Sequence, residues 1–246
     1  LVDGIFHGED PDLIARLLEI SREARRARVC KREWLGALEA VPGFFEPERP
    51  RPTRKTFWPV DRLAARLPRM PVLYRESLEG HWPLSEGCPA FCGFCAESWV
   101  RKPYRERPRE GWLDRALAYK AATGIEGLEF HSFNFNLHSE LFGTLQDAVG
   151  AFHRVSLKSQ RFDWLAHTPE LPALLGLLGK SSLTCGLEGI SPRLRRFLQK
   201  SLDEDTLWRA LGTLASARLR ELKVFLIATG RETDEDYHAF ADLLGR

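Results

Sequence analysis

The sequence has no long apolar run, few cysteines and almost no net charge. No stretch approaches the roughly 18 consecutive apolar residues that a membrane-spanning helix requires, and the first residues contain no secretory hydrophobic region. A formal net charge of +2 is too small to indicate nucleic acid or a membrane surface as the partner. We therefore expect a cytoplasmic protein without membrane association.

Cysteine is scarce but clustered. The chain has five cysteines in 246 residues, and three of them, Cys88, Cys92 and Cys95, fall within the stretch EGCPAFCGFCAE at residues 86–97. This spacing does not suit a disulfide framework, and in a cytosolic protein such a cluster is typical of metal binding. Pro89 and Gly93 between the cysteines indicate a loop rather than a periodic core face.

The remaining composition, 43% hydrophobic and 28% charged, is that of a folded globular chain and excludes a disordered or fibrous class. Residues 1–80 are irregular. Residues 1–10 resemble the last strand and loop of a preceding α/β domain, and residues 11–34 have the apolar spacing of one amphipathic helix with a basic end. Residues 41–60 contain five prolines, so we expect an extended strap there.

Residues 81–246 alternate between strand and helix patterns, which predicts an α/β fold. Strand patterns occupy residues 81–87, 125–133, 154–160, 181–189 and 221–230, and helix patterns occupy residues 109–124, 139–153, 168–180, 191–200, 203–219 and 233–246. Ser139 is the expected N-cap of the second helix. Five strand-then-helix units indicate about five parallel strands with outer helices in a partial (β/α) barrel. We expect this core to be truncated before a sixth strand.

In parallel α/β sheets, ligands bind at the carboxyl ends of the strands, and the three cysteines follow the first strand. A structural zinc ion takes four protein ligands, and no second CxxC or HxxxH pattern lies nearby. A cubane iron-sulfur cluster has four irons, so three cysteines leave one iron for another ligand. The pattern favours a 4Fe-4S cluster. A zinc site in a non-catalytic interaction module and inert core thiols are the alternatives.

The other two cysteines are not expected to bind the cluster. Cys30 falls in the arginine-rich part of the first helix pattern, and Cys185 falls inside a strand, where a small apolar side chain suits the wall of the sheet.

The spacing CxxxCxxC, with Phe94 before the last cysteine, resembles the signature of the radical S-adenosylmethionine (SAM) enzymes. The segments GLEGISPRLRRFLQK and LKVFLIATGRETDEDY are similar to the fourth-strand and fifth-strand segments of that superfamily, so the resemblance covers residues from about 82 to 246. Three further segments, GIFHGEDPDLIARLLE, RKPYRERP and SQRFD, resemble members that carry a cobalamin-binding-type domain before the radical SAM core.

The resemblance implies cofactors and a reaction class. Its members bind SAM through its amino and carboxylate groups on the fourth iron of the cluster. An electron from the cluster then cleaves SAM to a 5′-deoxyadenosyl radical, which serves hydrogen abstraction or methyl transfer. A reductant such as flavodoxin or ferredoxin is implied as a partner. Cobalamin, bound by a domain that is not present in this chain, is implied by the finer resemblance.

The resemblance also suggests residues that contact SAM. For each of them a purely structural role is the alternative. Phe94 would line the adenine pocket, or else anchor the loop in the core. The chain has HSFNFN where many members have a Gly-Gly-Glu-like segment. Asn134 or Asn136 would supply carbonyl groups in its place, although asparagines after a strand are common turn residues.

For three charged residues, too, both a SAM-binding or substrate-binding role and a structural role are open. Glu188 would lie near the ribose or amino end of SAM, or else cap the helix that starts at Ser191. Arg161 and Asp163 would point from the third strand toward SAM or substrate, or else form an ion pair at the rim.

The substrate class stays open between a small molecule, a peptide and RNA. Basic residues concentrate between Arg101 and Arg109 and between Arg22 and Arg32. Because few aromatic residues interleave with them, a solvated basic face is favoured over an RNA-binding one.

Overall fold

The computed structural model describes residues 2–59, 62, 79–157, 160–177, 179, 181–217 and 219–246. The chain divides into two compact units, Leu1–Leu63 and Ala64–Arg246. This division precedes the boundary near residue 80 expected from the sequence, and residues 63–78 lie outside the described residues. No helix in the described part of the chain is both long and apolar enough to cross a bilayer.

The first unit contains β1 (Ile5–Phe6), α1 (Pro11–Ala27), α2 (Lys31–Leu38) and β2 (Phe44–Phe45). The strand β1 pairs antiparallel with β2. Apart from β2, the described residues of the proline-rich stretch 41–59 form no regular helix or strand.

The single helix predicted over residues 11–34 is in fact two helices. The backbone of Arg28 is left-handed, with φ of +53°, and its N–H donates to the carbonyls of Ala24 and Arg25, which ends α1. Cys30 is therefore the N-cap of α2 and does not lie inside an arginine-rich helix.

The second unit begins its described part with β3 (Glu79–Pro83). The elements that follow it are β4 (Ser85–Glu86), α3 (Ala96–Val100), β5 (Arg105–Glu106), α4 (Trp112–Thr123), β6 (Gly127–His131), a 3-10 turn (Phe135–Leu137), α5 (Leu141–Ala151), β7 (Arg154–Leu157), α6 (Phe162–Leu165), α7 (Glu170–Leu177), β8 (Ser182–Glu188), α8 (Pro192–Phe197), α9 (Glu204–Ser216), β9 (Glu221–Leu226) and α10 (Asp234–Gly245).

Five of these strands are parallel, as predicted. The strands β3, β6 and β7 form one parallel sheet in that order, and β8 and β9 form another. A parallel bridge between Gln160 and Cys185 continues the order from β7 to β8. The described strands do not close on themselves, so the predicted partial barrel is confirmed.

The helices cover one face of these strands. Trp82, Leu128 and Phe130 alternate inward and pack against α4, where the Trp82 and Trp112 ring centroids are 6.0 Å apart. Phe130 is completely buried, and burying a side chain of this size contributes about 1.5–3 kcal/mol. Residues at the alternate positions of the same strands, such as His81 and Glu129, face the other way.

Three local predictions were wrong. Ser139 does not cap α5; that helix begins after Glu140, and the Ser139 hydroxyl donates to the carboxylate of Glu106. Arg161 and Asp163 do not lie on the third strand, because β7 ends at Leu157 and Arg161 is the N-cap of α6. The short helices α3 and α6 were missed, since four or five residues carry too little periodicity to be recognised.

A buried carboxylate connects two helices of this unit. Asp236, on the first turn of α10, accepts hydrogen bonds from Ser191, the N-cap of α8, from Arg193 and from the backbone N–H of Thr233. Only 2% of Asp236 is exposed. The Arg193 guanidinium, followed by the Ser191 and Thr233 donors, holds the pKa of this carboxyl well below its ordinary value.

We expect Asp236→Asn to lower the urea midpoint of unfolding at pH 7. Because the folded-state pKa is depressed, the carboxylate stabilises the fold fully above the unfolded pKa of about 3.9 and loses this effect as the pH falls toward the folded pKa. The gap between variant and parent should therefore stay constant from pH 7 to 5 and shrink below about pH 4. Asp242→Asn, at an exposed position of the same helix, is the control. Equal midpoints for both variants would contradict the role of Asp236.

Candidate metal centre and cofactor cleft

The cysteine loop is closed at its base by a short antiparallel pair. β4 and β5 flank the loop, with Ser85 opposite Glu106 and Glu86 opposite Arg105. Gly87 opens the loop with φ of +77°, and a Cβ there would lie 2.2 Å from the carbonyl oxygen of Arg101. Only glycine fits such a position, so the residue before the first cysteine is determined by the backbone.

Side chains that follow the loop fix its carbonyl groups. Lys102 Nζ donates to the carbonyls of Cys88 and Ala90, at 3.1 and 2.6 Å, and lies 3.7 Å from the ring centroid of Phe91. Trp99 Nε1 donates to the carbonyl of Cys92 at 3.1 Å. These contacts orient the loop backbone that carries the three cysteines.

The three thiols line one cleft of about 230 Å³. Cys88 and Cys92 are buried, and Cys95 is half-buried. A structural zinc ion takes four protein ligands, and among the described residues no other cysteine and no histidine lines this cleft. A cubane binds each cysteine at a different iron and leaves its fourth iron for another ligand. Three cysteines in one cleft therefore fit a cubane better than a structural zinc ion.

The other two cysteines lie elsewhere. Cys185 is completely buried on the helix-covered face of β8, and burial raises the pKa of its thiol to about 12, so it stays protonated at neutral pH. Cys30 is exposed and belongs to the first unit.

The remaining walls of the cleft come from the carboxyl ends of the parallel strands, where α/β sheets bind ligands. Seven of the positions predicted from the sequence meet here, namely Cys88, Cys92, Phe94, Cys95, Asn134, Arg161 and Glu188. Asp163, also predicted, is not among the residues that line the cleft, and Asn136, the alternative to Asn134, belongs to the 3-10 turn that follows β6. Phe94 is 39% exposed, so it is a cleft wall and not a core anchor.

Asn134 follows β6 and is 2% exposed. Its Nδ2 donates to Cys88 Sγ at 2.9 Å. Its backbone N–H donates to Ser132 Oγ at 3.0 Å, and that hydroxyl is 2.6 Å from Ser85 Oγ. The serine pair thus holds the turn, and the asparagine amide directs a hydrogen-bond donor at a cysteine sulfur.

Arg161 and Asp163 form the ion pair that the sequence left as an alternative. The Arg161 guanidinium donates from Nε and from a terminal nitrogen to the Asp163 carboxylate, the shorter distance being 2.7 Å. Burial alone would lower the pKa of Arg161, but the Asp163 carboxylate outweighs it and the pKa is raised. The other terminal nitrogen lies 3.8 Å from Cys92 Sγ, so a fixed positive charge borders the thiols.

Glu188 does not cap α8; Ser191 performs that role. Glu188 ends β8 with φ of +67°, next to a register shift after Gly186. A non-glycine residue in this region is strained, and such strain concentrates at functional sites. The Glu188 carboxylate is 3.5 Å from Lys200 Nζ, with 16% and 5% of the two side chains exposed.

Sequence reasoning missed several residues of this site. Lys102 was counted among the solvated basic residues, and Gln160 and Lys200 were not considered, although both are buried and line the cleft. Lys200 follows a helix rather than a strand, so the rule of strand ends does not find it. Nothing in the sequence distinguishes Lys102 from the neighbouring arginines of RKPYRERP, so its contact with the cysteine loop could not be predicted.

The sequence model of the "Radical SAM superfamily" matches residues 82–244, about two thirds of the chain. The chain belongs to the radical SAM superfamily. No curated protein matches it significantly.

Solved structures of cobalamin-dependent radical SAM enzymes share the fold. The chain is 14% identical to apo OxsB, a "Cobalamin-dependent S-adenosylmethionine radical enzyme", with a TM-score of 0.62 over 90% of this chain and 33% of that one. It is 15% identical to the radical SAM methyltransferase TsrM from Kitasatospora setae "with cobalamin and [4Fe-4S] cluster bound", with a TM-score of 0.57 over 99% of this chain and 50% of that one. The radical SAM chain described here thus spans a third to a half of the length of these two neighbours.

We expect Cys88→Ala, Cys92→Ala and Cys95→Ala each to abolish iron retention after anaerobic reconstitution, because each removes one thiolate of the cluster. Cys185→Ala should retain about four irons per chain, since that thiol faces the core. Iron and sulfide analysis with visible absorption measures both outcomes. Iron loss from Cys185→Ala as large as from the other three variants would contradict this ligand assignment.

Proposed function

We propose that the chain is the catalytic core of a radical SAM enzyme that carries a 4Fe-4S cluster on Cys88, Cys92 and Cys95. The observation that carries the proposal is the convergence of these three thiols with Asn134, Arg161 and Glu188 in one cleft at the strand ends. When bound, the cluster supplies the electron that cleaves SAM to a 5′-deoxyadenosyl radical, for hydrogen abstraction or methyl transfer on a substrate.

The side chains of the cleft would bind the cluster and SAM and orient them. The Asn134 amide donates to Cys88 Sγ, and such hydrogen bonds tune the potential of an iron-sulfur cluster. Phe94 offers an apolar wall for the adenine ring. Glu188 offers a carboxylate that accepts from the amino group or the ribose hydroxyls of SAM. Arg161, with Asp163 fixing its orientation, supplies positive charge beside Cys92.

We further propose that cobalamin takes part in the reaction of the whole protein. Support comes from the structural neighbours, whose titles describe OxsB as cobalamin-dependent and TsrM as holding cobalamin. A reductant such as flavodoxin or ferredoxin would supply the electron.

The basic run before α4 gives no support to an RNA substrate. Arg101, Arg107 and Arg109 pair with Glu97, Glu86 and Asp147, at 3.0, 3.2 and 2.9 Å. Since these three arginines have acidic partners within the chain, and Lys102 donates to the carbonyls of the cysteine loop, we favour a small molecule or a peptide over nucleic acid.

We expect anaerobically reconstituted protein to produce 5′-deoxyadenosine when it is incubated with SAM and dithionite. SAM should also change the electron paramagnetic resonance spectrum of the reduced cluster, because it binds at the iron without a cysteine. The variant in which all three loop cysteines are serine is the control and should produce neither signal. A colourless, zinc-containing protein that forms no 5′-deoxyadenosine would instead favour the non-catalytic interaction module.

We expect Glu188→Gln to weaken SAM binding by about 5-fold to 150-fold, the range for losing a charged hydrogen-bond partner worth about 1–3 kcal/mol. The measurement is SAM titration of the reduced cluster followed by electron paramagnetic resonance. Glu97→Gln, at a position of α3 whose side chain is 55% exposed, is the matched control. Because Lys200 would lose its partner, thermal unfolding is measured alongside. Unchanged SAM affinity in a folded Glu188→Gln protein would remove Glu188 from the site.

A further inference from the structure

Two histidines and a glutamate converge on the face of the sheet opposite to the one that packs against α4. In the parallel pairing of β3 with β6, His81 lies opposite Glu129, and His131 follows two residues later on β6. All three therefore project from the same face. None of them lines the cysteine cleft.

Their ligand atoms are close together. His131 Nε2 lies 2.8 Å from His81 Nδ1 and 2.8 Å from Glu129 Oε1, and His81 Nδ1 lies 3.4 Å from the same carboxylate oxygen. Among the described residues, this is the group of three His, Cys, Asp or Glu side chains whose ligand atoms approach one another closely enough to share a metal ion.

The spacing can be compared with metal geometry. Metal–ligand bonds of about 2.1 Å place neighbouring ligands about 3.0 Å apart on one face of an octahedron and about 3.4 Å apart in a tetrahedron. The three observed distances lie between 2.8 and 3.4 Å, so an ion requires shifts of a few tenths of an ångström. The His81 and His131 side chains are 62% and 43% exposed, which leaves both rings room to turn.

The donor set narrows the class of ion. Two imidazoles with one carboxylate suit divalent first-row transition metals, whereas magnesium and calcium prefer oxygen ligands throughout. Three protein ligands on one side leave further coordination positions open on the other. The Glu129 side chain is only 14% exposed, so its carboxylate is held in place beside both imidazoles.

We propose that His81, Glu129 and His131 form a second metal site, for a divalent first-row transition ion with nitrogen and oxygen ligands. It lies on β3 and β6, whereas Gly186 and Glu188 of the cysteine cleft lie on β8. The site is separate from the iron-sulfur ligands and does not rest on the function proposed above. Its rival is a hydrogen-bonded triad in which a shared proton, not a metal, joins the two imidazoles.

The first test uses Co²⁺ as the probe in the variant whose three loop cysteines are serine. One equivalent of Co²⁺ should bind, with weak visible bands and no thiolate charge-transfer absorption. His81→Ala and His131→Ala should each weaken binding at least about tenfold, since even the loss of an outer partner costs 10-fold to 100-fold. His153→Ala, at an exposed histidine between α5 and β7, should bind as the parent does. Absence of Co²⁺ binding, or equal loss in all three histidine variants, would overturn the proposal.

A second measurement uses the unaltered chain and needs no variant to fold. Diethylpyrocarbonate modifies accessible imidazoles, and peptide mass spectrometry locates the products. Zn²⁺ at one equivalent beyond what the thiols bind should protect His81 and His131 and leave His153 reactive. Equal modification of all three histidines with and without Zn²⁺ would support the proton-linked triad.

Discussion

The parallel strands of the second unit bury one face against helices and turn polar side chains to the other. Along β3 and β6, Trp82, Leu128 and Phe130 pack inward, while His81, Glu129 and His131 occupy the alternate positions. Strands of parallel sheets usually carry apolar residues on both faces, so these polar side chains depart from the usual pattern, and ligand binding would explain them. The cysteine cleft lies at the carboxyl ends of the strands, whereas the histidine and glutamate site follows from the alternation along β3 and β6.

The cysteine loop depends on its frame rather than on its own residues. A loop with Gly87 and Gly93 has many accessible conformations, and presenting three thiols in one direction costs conformational entropy. The β4–β5 pair closes the loop, and the side chains of Lys102 and Trp99 donate to its carbonyls. These contacts are all made by the chain itself. The thiols are thereby preorganised, which lowers the cost of binding a cluster.

The five parallel strands were predictable because strand and helix patterns alternate along residues 81–246, and the cysteine spacing indicated the chemistry. What escaped prediction depends on contacts between distant residues. The helix predicted over residues 11–34 is interrupted at Arg28, whose backbone is left-handed. Arginine has no preference for this conformation, so the sequence did not indicate the interruption. Lys200 reaches the cleft from beyond α8, and the triad of His81 with Glu129 and His131 joins strands almost fifty residues apart in sequence. Patterns in a short stretch of sequence do not indicate which distant residues come into contact.

The left-handed backbone of Glu188 has a consequence for how this chain would vary over time. A side chain with a Cβ costs about 1–2 kcal/mol in that conformation, and glycine avoids this cost. Substitution of Glu188 by glycine or asparagine would therefore stabilise the fold. Glutamate is retained at this position only if its carboxylate has a function. A lineage that lost the need for this carboxylate would be expected to abandon glutamate here before it altered the apolar residues of the same strand.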